Sequence, residues 1–246
     1  LIWNVMITSA NASTAPVVAI GQTSLTASQA NQGSSAPAAG TLSGPTDAMI
    51  ANGNLFVADN GNDRVLIYSG GATVTTGQSA NVVLGQPDFV TDENKCIGNY
   101  TIGNTGGAVG GSNAACYGPG SPQNNVSSYT TQANQLVKPT GLWTNGSKLF
   151  VADTGNNRVL YYPQLPVANA SGAGTAAQIV IGVTNFGTYS AGTNGATGLR
   201  GPTGVAGGAA GFYVADTGNN RVLYYASNSP KSNAPAAAQV FGQSDF

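Results

Sequence analysis

The charged residues with the most regular spacing are aspartates that are followed five positions later by an arginine. A carboxylate and a guanidinium at this spacing can share a charge-assisted hydrogen bond, or the carboxylates can act together as ligands of a metal or substrate. Because an active site seldom recurs in every repeat of a chain, the spacing favours structural pairs, formed within one repeat or between neighbouring repeats. The three pairs are Asp59 with Arg64, Asp153 with Arg158, and Asp216 with Arg221.

Other groups suited to catalysis are scarce in this sequence. It contains no histidine, which excludes a Ser-His-Asp triad and every His-ligated metal site. The stretch from Asp59 to Asp63 is similar to a calcium-binding loop, but Arg64 stands where such a loop needs its turn glycine. We therefore expect a protein that is not an enzyme and that has no metal ion and no cofactor.

The overall composition excludes two further classes of partner. The 246 residues include only 8 lysines and arginines, too few for the basic face of a nucleic-acid-binding protein. No apolar run approaches the roughly 20 residues that a membrane-spanning helix needs. Charged residues make up 7% of the chain, whereas glycine, asparagine and threonine are abundant, which is typical of strands joined by turns.

Cysteines and glycosylation sequons indicate an extracellular or cell-surface location. Cys96 and Cys116 lie in one Gly- and Asn-rich segment, where they could form a local disulfide or remain two unpaired thiols. Asn-x-Ser/Thr sequons are candidate glycosylation sites, although an Asn-rich chain also generates them by chance. These sequons begin at Asn11, Asn99, Asn125, Asn145 and Asn169.

The paired charges belong to a segment that the chain repeats three times, at Gly44–Gly70, Lys138–Gln164 and Gly201–Ser227. Each copy reads as three short apolar strands separated by tight Gly- or Asn-containing turns, and a fourth apolar strand ending in glycine follows after a linker. An additional copy of the fourth strand occurs at Val17–Leu25. Four antiparallel strands that recur in this way predict an all-β fold of β-propeller blades.

The repeated residues resemble the NHL repeat family of β-propellers. The resemblance rests on Pro-Thr-Gly followed by Leu-Phe-Val-Ala-Asp-Thr-Gly-Asn-Asn-Arg-Val-Leu at 149–160. The Gly-Gln-Pro-Asp-Phe tail at 85–89 is similar to the extracellular bacterial and archaeal branch of that family. The resemblance implies the propeller fold and says little about activity, since one fold serves many functions.

Repeat spacing divides the chain into about three and a half blades. We expect a half blade of two outer strands at 1–25, complete blades at 44–89, 138–186 and 201–246, and an inserted loop carrying both cysteines at 90–137. The half blade follows from the distance between Leu1 and Gly21, which matches the distance from the third to the fourth strand of a complete repeat. Its first strand would comprise Leu1, Ile2, Trp3 and Asn4.

A strand that lacks inner partners in its own chain leaves an unpaired edge, which a second copy could complete. The first hypothesis is therefore a non-catalytic extracellular protein that self-associates into a fibre or sheath. The second is a glycan- or protein-binding propeller in which Trp143 stacks on a sugar, although core packing is an alternative role for that ring. The third is a metal-dependent lyase or hydrolase, against which the missing histidines argue, and a fragment of a longer propeller competes with all three.

Overall fold

The computed structural model of the chain describes residues 16–91, 132–188 and 194–246. They confirm the predicted all-β class, with three four-stranded antiparallel sheets whose strands follow one another in chain order. The first sheet contains β1 (Asp47–Ala51), β2 (Asn54–Asp59), β3 (Arg64–Ser69) and β4 (Val82–Leu84). The second contains β5 (Pro139–Thr144), β6 (Leu149–Asp153), β7 (Arg158–Tyr162) and β8 (Ile179–Ile181). The third contains β9 (Gly204–Gly207), β10 (Phe212–Asp216), β11 (Arg221–Tyr225) and β12 (Gln239–Phe241).

The second and third strands of every sheet are joined by one short 3-10 turn, at Asn60–Asn62, Thr154–Asn156 and Thr217–Asn219. The residue after each turn has a left-handed backbone, with φ of 54° at Asp63, 55° at Asn157 and 53° at Asn220. Asp and Asn tolerate this conformation better than other residues with a side chain, which explains why the repeats keep them there. Two further 3-10 segments lie at Ala30–Gly33 and Gly71–Thr73.

Each sheet has two apolar faces, because side chains alternate along a strand. We call the face toward the preceding part of the chain the leading face and the opposite one the trailing face. The trailing face of the first sheet packs on the leading face of the second sheet, and both are buried. The trailing residues are Phe56, Ala58, Val65, Ile67, Val82 and Leu84, and the leading residues are Leu142, Leu149, Val151, Leu160, Tyr162 and Val180.

The second and third sheets meet in the same manner. Phe150 lies at the centre of this core, with ring centroids 4.7 Å from Tyr161 and 4.6 Å from Phe212. The leading face of the first sheet is covered instead by residues of the segment 16–43, among them Ile20 and Leu42. The order in space is therefore segment 16–43, first sheet, second sheet, third sheet.

The fourth strand of each sheet is called the outer strand here. In the first two sheets, the glycine that follows this strand receives a leucine from the segment that leads into the next sheet. A Cβ on Gly85 would lie 2.8 Å from the Cβ of Leu136, and one on Gly182 would lie 2.7 Å from the Cβ of Leu199. Gly21 has the same positive φ, 83°, and meets Leu42 in the same way. Residues 18–21 therefore occupy the position of an outer strand, which fits the additional sequence copy at 17–25.

Residues 132–137, at the end of the predicted inserted loop, form the lead-in segment of the second sheet. Leu136 is fully buried there and belongs to the core between the first two sheets. Within the described ranges, no helix has the length and apolar character that crossing a bilayer requires.

We predict that Gly182→Ala destabilises the protein more than Gly242→Ala. Both glycines have a positive φ, 96° and 91°, so both substitutions carry a backbone cost of about 1–2 kcal/mol. Only the Gly182 methyl would overlap a leucine, which adds about 1–3 kcal/mol of overpacking, whereas the nearest atom to a Gly242 Cβ is the Asn220 carbonyl oxygen at 3.3 Å. Urea unfolding of both variants tests this, and equal losses would contradict the leucine contact as the cause.

Candidate functional site

The repeated aspartates and arginines form three equivalent buried ion pairs. In each, the arginine Nε donates to the aspartate Oδ2 at 2.7 Å, and both side chains are almost fully shielded from solvent. Each pair joins the last residue of a second strand to the first residue of the third strand across the 3-10 turn. Of the two arrangements that the spacing allowed, the pairing is the one within a repeat.

The guanidinium of each pair also binds backbone carbonyls outside its sheet, and in the first two repeats it does so both before and after the sheet. Arg158 Nη2 donates to the carbonyl oxygens of Gln132 and Gln135 in the lead-in segment, and its Nη1 donates to the Phe186 carbonyl in the tail after the outer strand. Arg64 repeats this pattern with Ala38, Thr41 and Phe89. Arg221 Nη2 donates to Gly195 and Gly198.

The aspartate carboxylates also bind the segment that precedes each sheet. Asp153 Oδ1 accepts the N–H of Val137 at 2.7 Å, and its Oδ2 accepts from Asn156 as well as from Arg158. The equivalent Oδ1 bonds run from Ser43 to Asp59 and from Arg200 to Asp216.

Burial raises the pKa of Asp59 and of Asp153, because desolvation disfavours the charged form, and the arginine and the N–H donors oppose that effect. Every oxygen of these carboxylates accepts a hydrogen bond from a protein donor, so the arrangement holds neighbouring parts of the chain together. Among the described residues, no group of three or more acids, cysteines or histidines is placed to hold a metal ion.

A tyrosine accompanies each ion pair. Burial raises the pKa of Tyr68, Tyr162 and Tyr225, and the charge of the aspartate in the same repeat raises it further. These phenols therefore stay protonated and act as apolar packing groups on the leading faces.

Trp143 lies between the second and third sheets. Its half-buried ring is 5.5 Å from that of Phe150, and it packs over Gly207, where a Cβ would come within 2.7 Å of the indole. These contacts explain the position of the indole ring by packing between the two sheets.

Two predicted sequons lie on exposed turns. The side-chain oxygen of Asn145 accepts from the N–H and the hydroxyl of Ser147, and that of Asn169 accepts from the same two groups of Ser171. The remaining predicted sites lie outside the described residues: Leu1, Ile2, Trp3, Asn4, Asn11, Cys96, Asn99, Cys116 and Asn125.

The most distinctive surface is the trailing face of the third sheet. Tyr213 is 43% exposed, although Phe56 and Phe150 at the same position of the other sheets are fully buried. Val222 is 36% exposed and Phe241 is 47% exposed, whereas the matching residues in the first two sheets are buried. The face comprises Tyr213, Ala215, Val222, Tyr224, Gln239 and Phe241.

The outer strand of this sheet also has a free backbone edge. On the first sheet, Val83 donates its N–H to the Gly172 carbonyl and accepts from Gly174, which belong to a loop of the second repeat. On the second sheet, Val180 donates to the Asn233 side chain and accepts from Ala234. Within the described part of the chain, no such loop pairs with Val240 at the same position of β12.

Sequence reasoning found the ion pairs but missed the leucines and the exposed face. A signal for the leucines is present, since each stands three residues before the proline of its Pro-Thr pair: Leu42, Leu136 and Leu199. The exposure of Val222 carries no such signal, because the Arg-Val-Leu motif is the same in all three repeats.

The chain has no match among protein-family models, and no curated protein matches it.

We predict that Asp153→Asn destabilises the protein by about 3–5 kcal/mol, because it leaves the buried Arg158 guanidinium without its counter-charge. Asp245→Asn, which changes an exposed carboxylate in the C-terminal tail, serves as the matched control and should change stability by less than about 0.5 kcal/mol. Thermal or urea unfolding measures both, and a loss below about 1 kcal/mol for Asp153→Asn would show that the pair does not fasten the repeat.

Proposed function

We propose that this protein is a non-catalytic, extracellular structural subunit that self-associates through the trailing face of its third sheet. The observation that carries the proposal is the exposure of Tyr213, Val222 and Phe241, since the equivalent face of each other sheet is covered by the next repeat. An apolar face that is buried twice within one chain and open the third time is a surface shaped for another repeat.

We further propose that the three sheets are blades of an NHL-like β-propeller. Consecutive sheets pack face to face, and their first strands lie side by side, as the innermost strands of blades do. The Leu142 N–H donates to the Asp47 carboxylate of β1 at 2.8 Å, and Gly141 lies against Thr203 and Gly204 of the third repeat. A side chain at Gly141 would overlap the Thr203 carbonyl at 2.6 Å, so this close approach depends on glycine.

An extracellular location is supported by the composition and by the accessible sequons. Asn145 and Asn169 are both exposed, so each could carry a glycan without disturbing a core. With 7% charged residues, a dense packing of like subunits would bury few unpaired charges.

The test is the concentration dependence of the molar mass, measured by size-exclusion chromatography with light scattering. We expect the wild-type chain to form dimers or larger species, and we expect Val222→Asp to weaken association at least about 100-fold, because the interface would bury an unpaired charge. Val167→Asp is the control, since Val167 is 67% exposed on a loop of the second repeat. A wild-type chain that stays monomeric at millimolar concentration would refute the proposal.

A further inference from the structure

The first sheet has an open region that is the counterpart of the exposed trailing face. Its innermost strand turns Ala48 and Ile50 toward the leading side, where Ile50 is 48% exposed. At the same two positions of β5, Leu142 and Thr144 are buried by the first sheet. The segment 16–43 therefore covers the outer strands of the first leading face and leaves its inner strand open.

Each interface between consecutive sheets also uses three polar or steric contacts besides its apolar faces. A leucine of the lead-in segment fits on the outer-strand glycine, and a loop of the later repeat pairs with the outer strand of the earlier one, as described above. In addition, the left-handed turn residue accepts a backbone N–H from the next repeat, from Lys138 to Asp63 at 2.7 Å and from Gly201 to Asn157 at 2.9 Å.

The third repeat carries the three groups that, in the other interfaces, belong to the earlier repeat: an outer-strand glycine, an outer-strand backbone edge and a left-handed turn residue. Gly242 has the same positive φ, 91°, as the glycines that receive a leucine, and no leucine of the described residues lies within 4 Å of its Cβ position. Asn220 is exposed, with the left-handed backbone of Asp63 and Asn157. The outward backbone edge of Val240 is unpaired among the described residues, whereas Val83 and Val180 at the same position form hydrogen bonds with a loop of the next repeat.

The first repeat carries the three groups that, in the other interfaces, belong to the later repeat: a lead-in leucine, a loop that pairs with an outer strand, and a backbone N–H. Leu42 and the loop residues Thr76 and Gly77 contact residues 19–21, which stand in the place of a preceding outer strand. The N–H of Gly44, equivalent to those of Lys138 and Gly201, makes no hydrogen bond to the described residues. The first and third repeats therefore present complementary halves of the same three contacts.

We propose that copies of this chain associate head to tail, with the trailing face of the third sheet of one copy docked on the leading face of the first sheet of the next. In this arrangement Gln239–Gly242 takes the place of residues 18–21, so that Leu42 fits on Gly242, Gly77 pairs with Val240, and Gly44 donates to Asn220. Docking of the second copy would cover both Ile50 and Tyr213, whereas residues 18–21 leave both exposed. The inference rests on the proposed self-association and specifies its geometry, which closes into a ring or propagates as a fibre.

A complementation experiment tests the head-to-tail geometry. Ile50→Asp places a charge on the leading face of the first sheet, and Val222→Asp places one on the trailing face of the third sheet. Each variant alone should therefore be monomeric at concentrations where the wild type associates. An equimolar mixture should form a 1:1 dimer and nothing larger, because each variant keeps the end that the other lacks. Phe241→Lys provides a second trailing-end variant, circular dichroism verifies folding, and Val167→Asp again serves as the control.

The outcomes separate this inference from the function on which it rests. A monomeric wild type refutes self-association itself. A wild type that associates while the mixture stays monomeric, or an Ile50→Asp variant that still dimerises through two trailing faces, overturns the head-to-tail geometry alone.

A pair of proline variants tests the strand exchange. Ala19→Pro removes the N–H that donates to Thr76 Oγ1 at 3.1 Å, which weakens the hold on residues 18–21 and should tighten association about fivefold. Val240→Pro removes the equivalent N–H of the incoming strand and should weaken association about fivefold. Sedimentation velocity measures both, and an Ala19→Pro variant that associates no more tightly than the wild type would show that the copies do not exchange this strand.

Discussion

The buried aspartate–arginine pair is the constraint on which each repeat depends. Removing two charges from water is costly, and the cost is recovered only when every donor and acceptor is used. In the second repeat the guanidinium holds carbonyls before and after the sheet, and the carboxylate holds an N–H of the lead-in segment. The pair therefore fixes where the chain enters and leaves a sheet, in addition to closing a hairpin turn.

Fixing the lead-in segment is what couples one repeat to the next. Gln135 and Val137, the residues held by the second ion pair, flank Leu136, and Leu136 fits on Gly85 of the preceding outer strand. A charge pair in one repeat thus positions an apolar contact with its neighbour. Stability in such a chain comes largely from the interfaces between neighbouring repeats.

Short-range features of this fold were predictable, because they are encoded within a few residues. The turn that joins Asp153 to Arg158 and the apolar run Leu149–Ala152 before it predict a hairpin whose charged residues can pair, while pairing between repeats stayed open. The contact of Leu136 with Gly85 was not predictable in the same way, because it joins distant segments and requires the glycine's positive φ. Trp143 illustrates the same limit, since its packing on Gly207 depends on how two sheets approach each other.

In the proposed association, specificity would come from shape and backbone hydrogen bonds, because the exposed apolar side chains at the two faces carry no charge. Val222, Phe241 and Ile50 supply apolar area, and such area alone would allow many registers of docking. We expect Gly242 and the turn residue Asn220 to restrict the choice, since a leucine and an N–H at the spacing of Leu42 and Gly44 would satisfy both. An association of this kind depends little on ionic strength, and a mismatch of one residue forfeits the leucine contact and the hydrogen bond together.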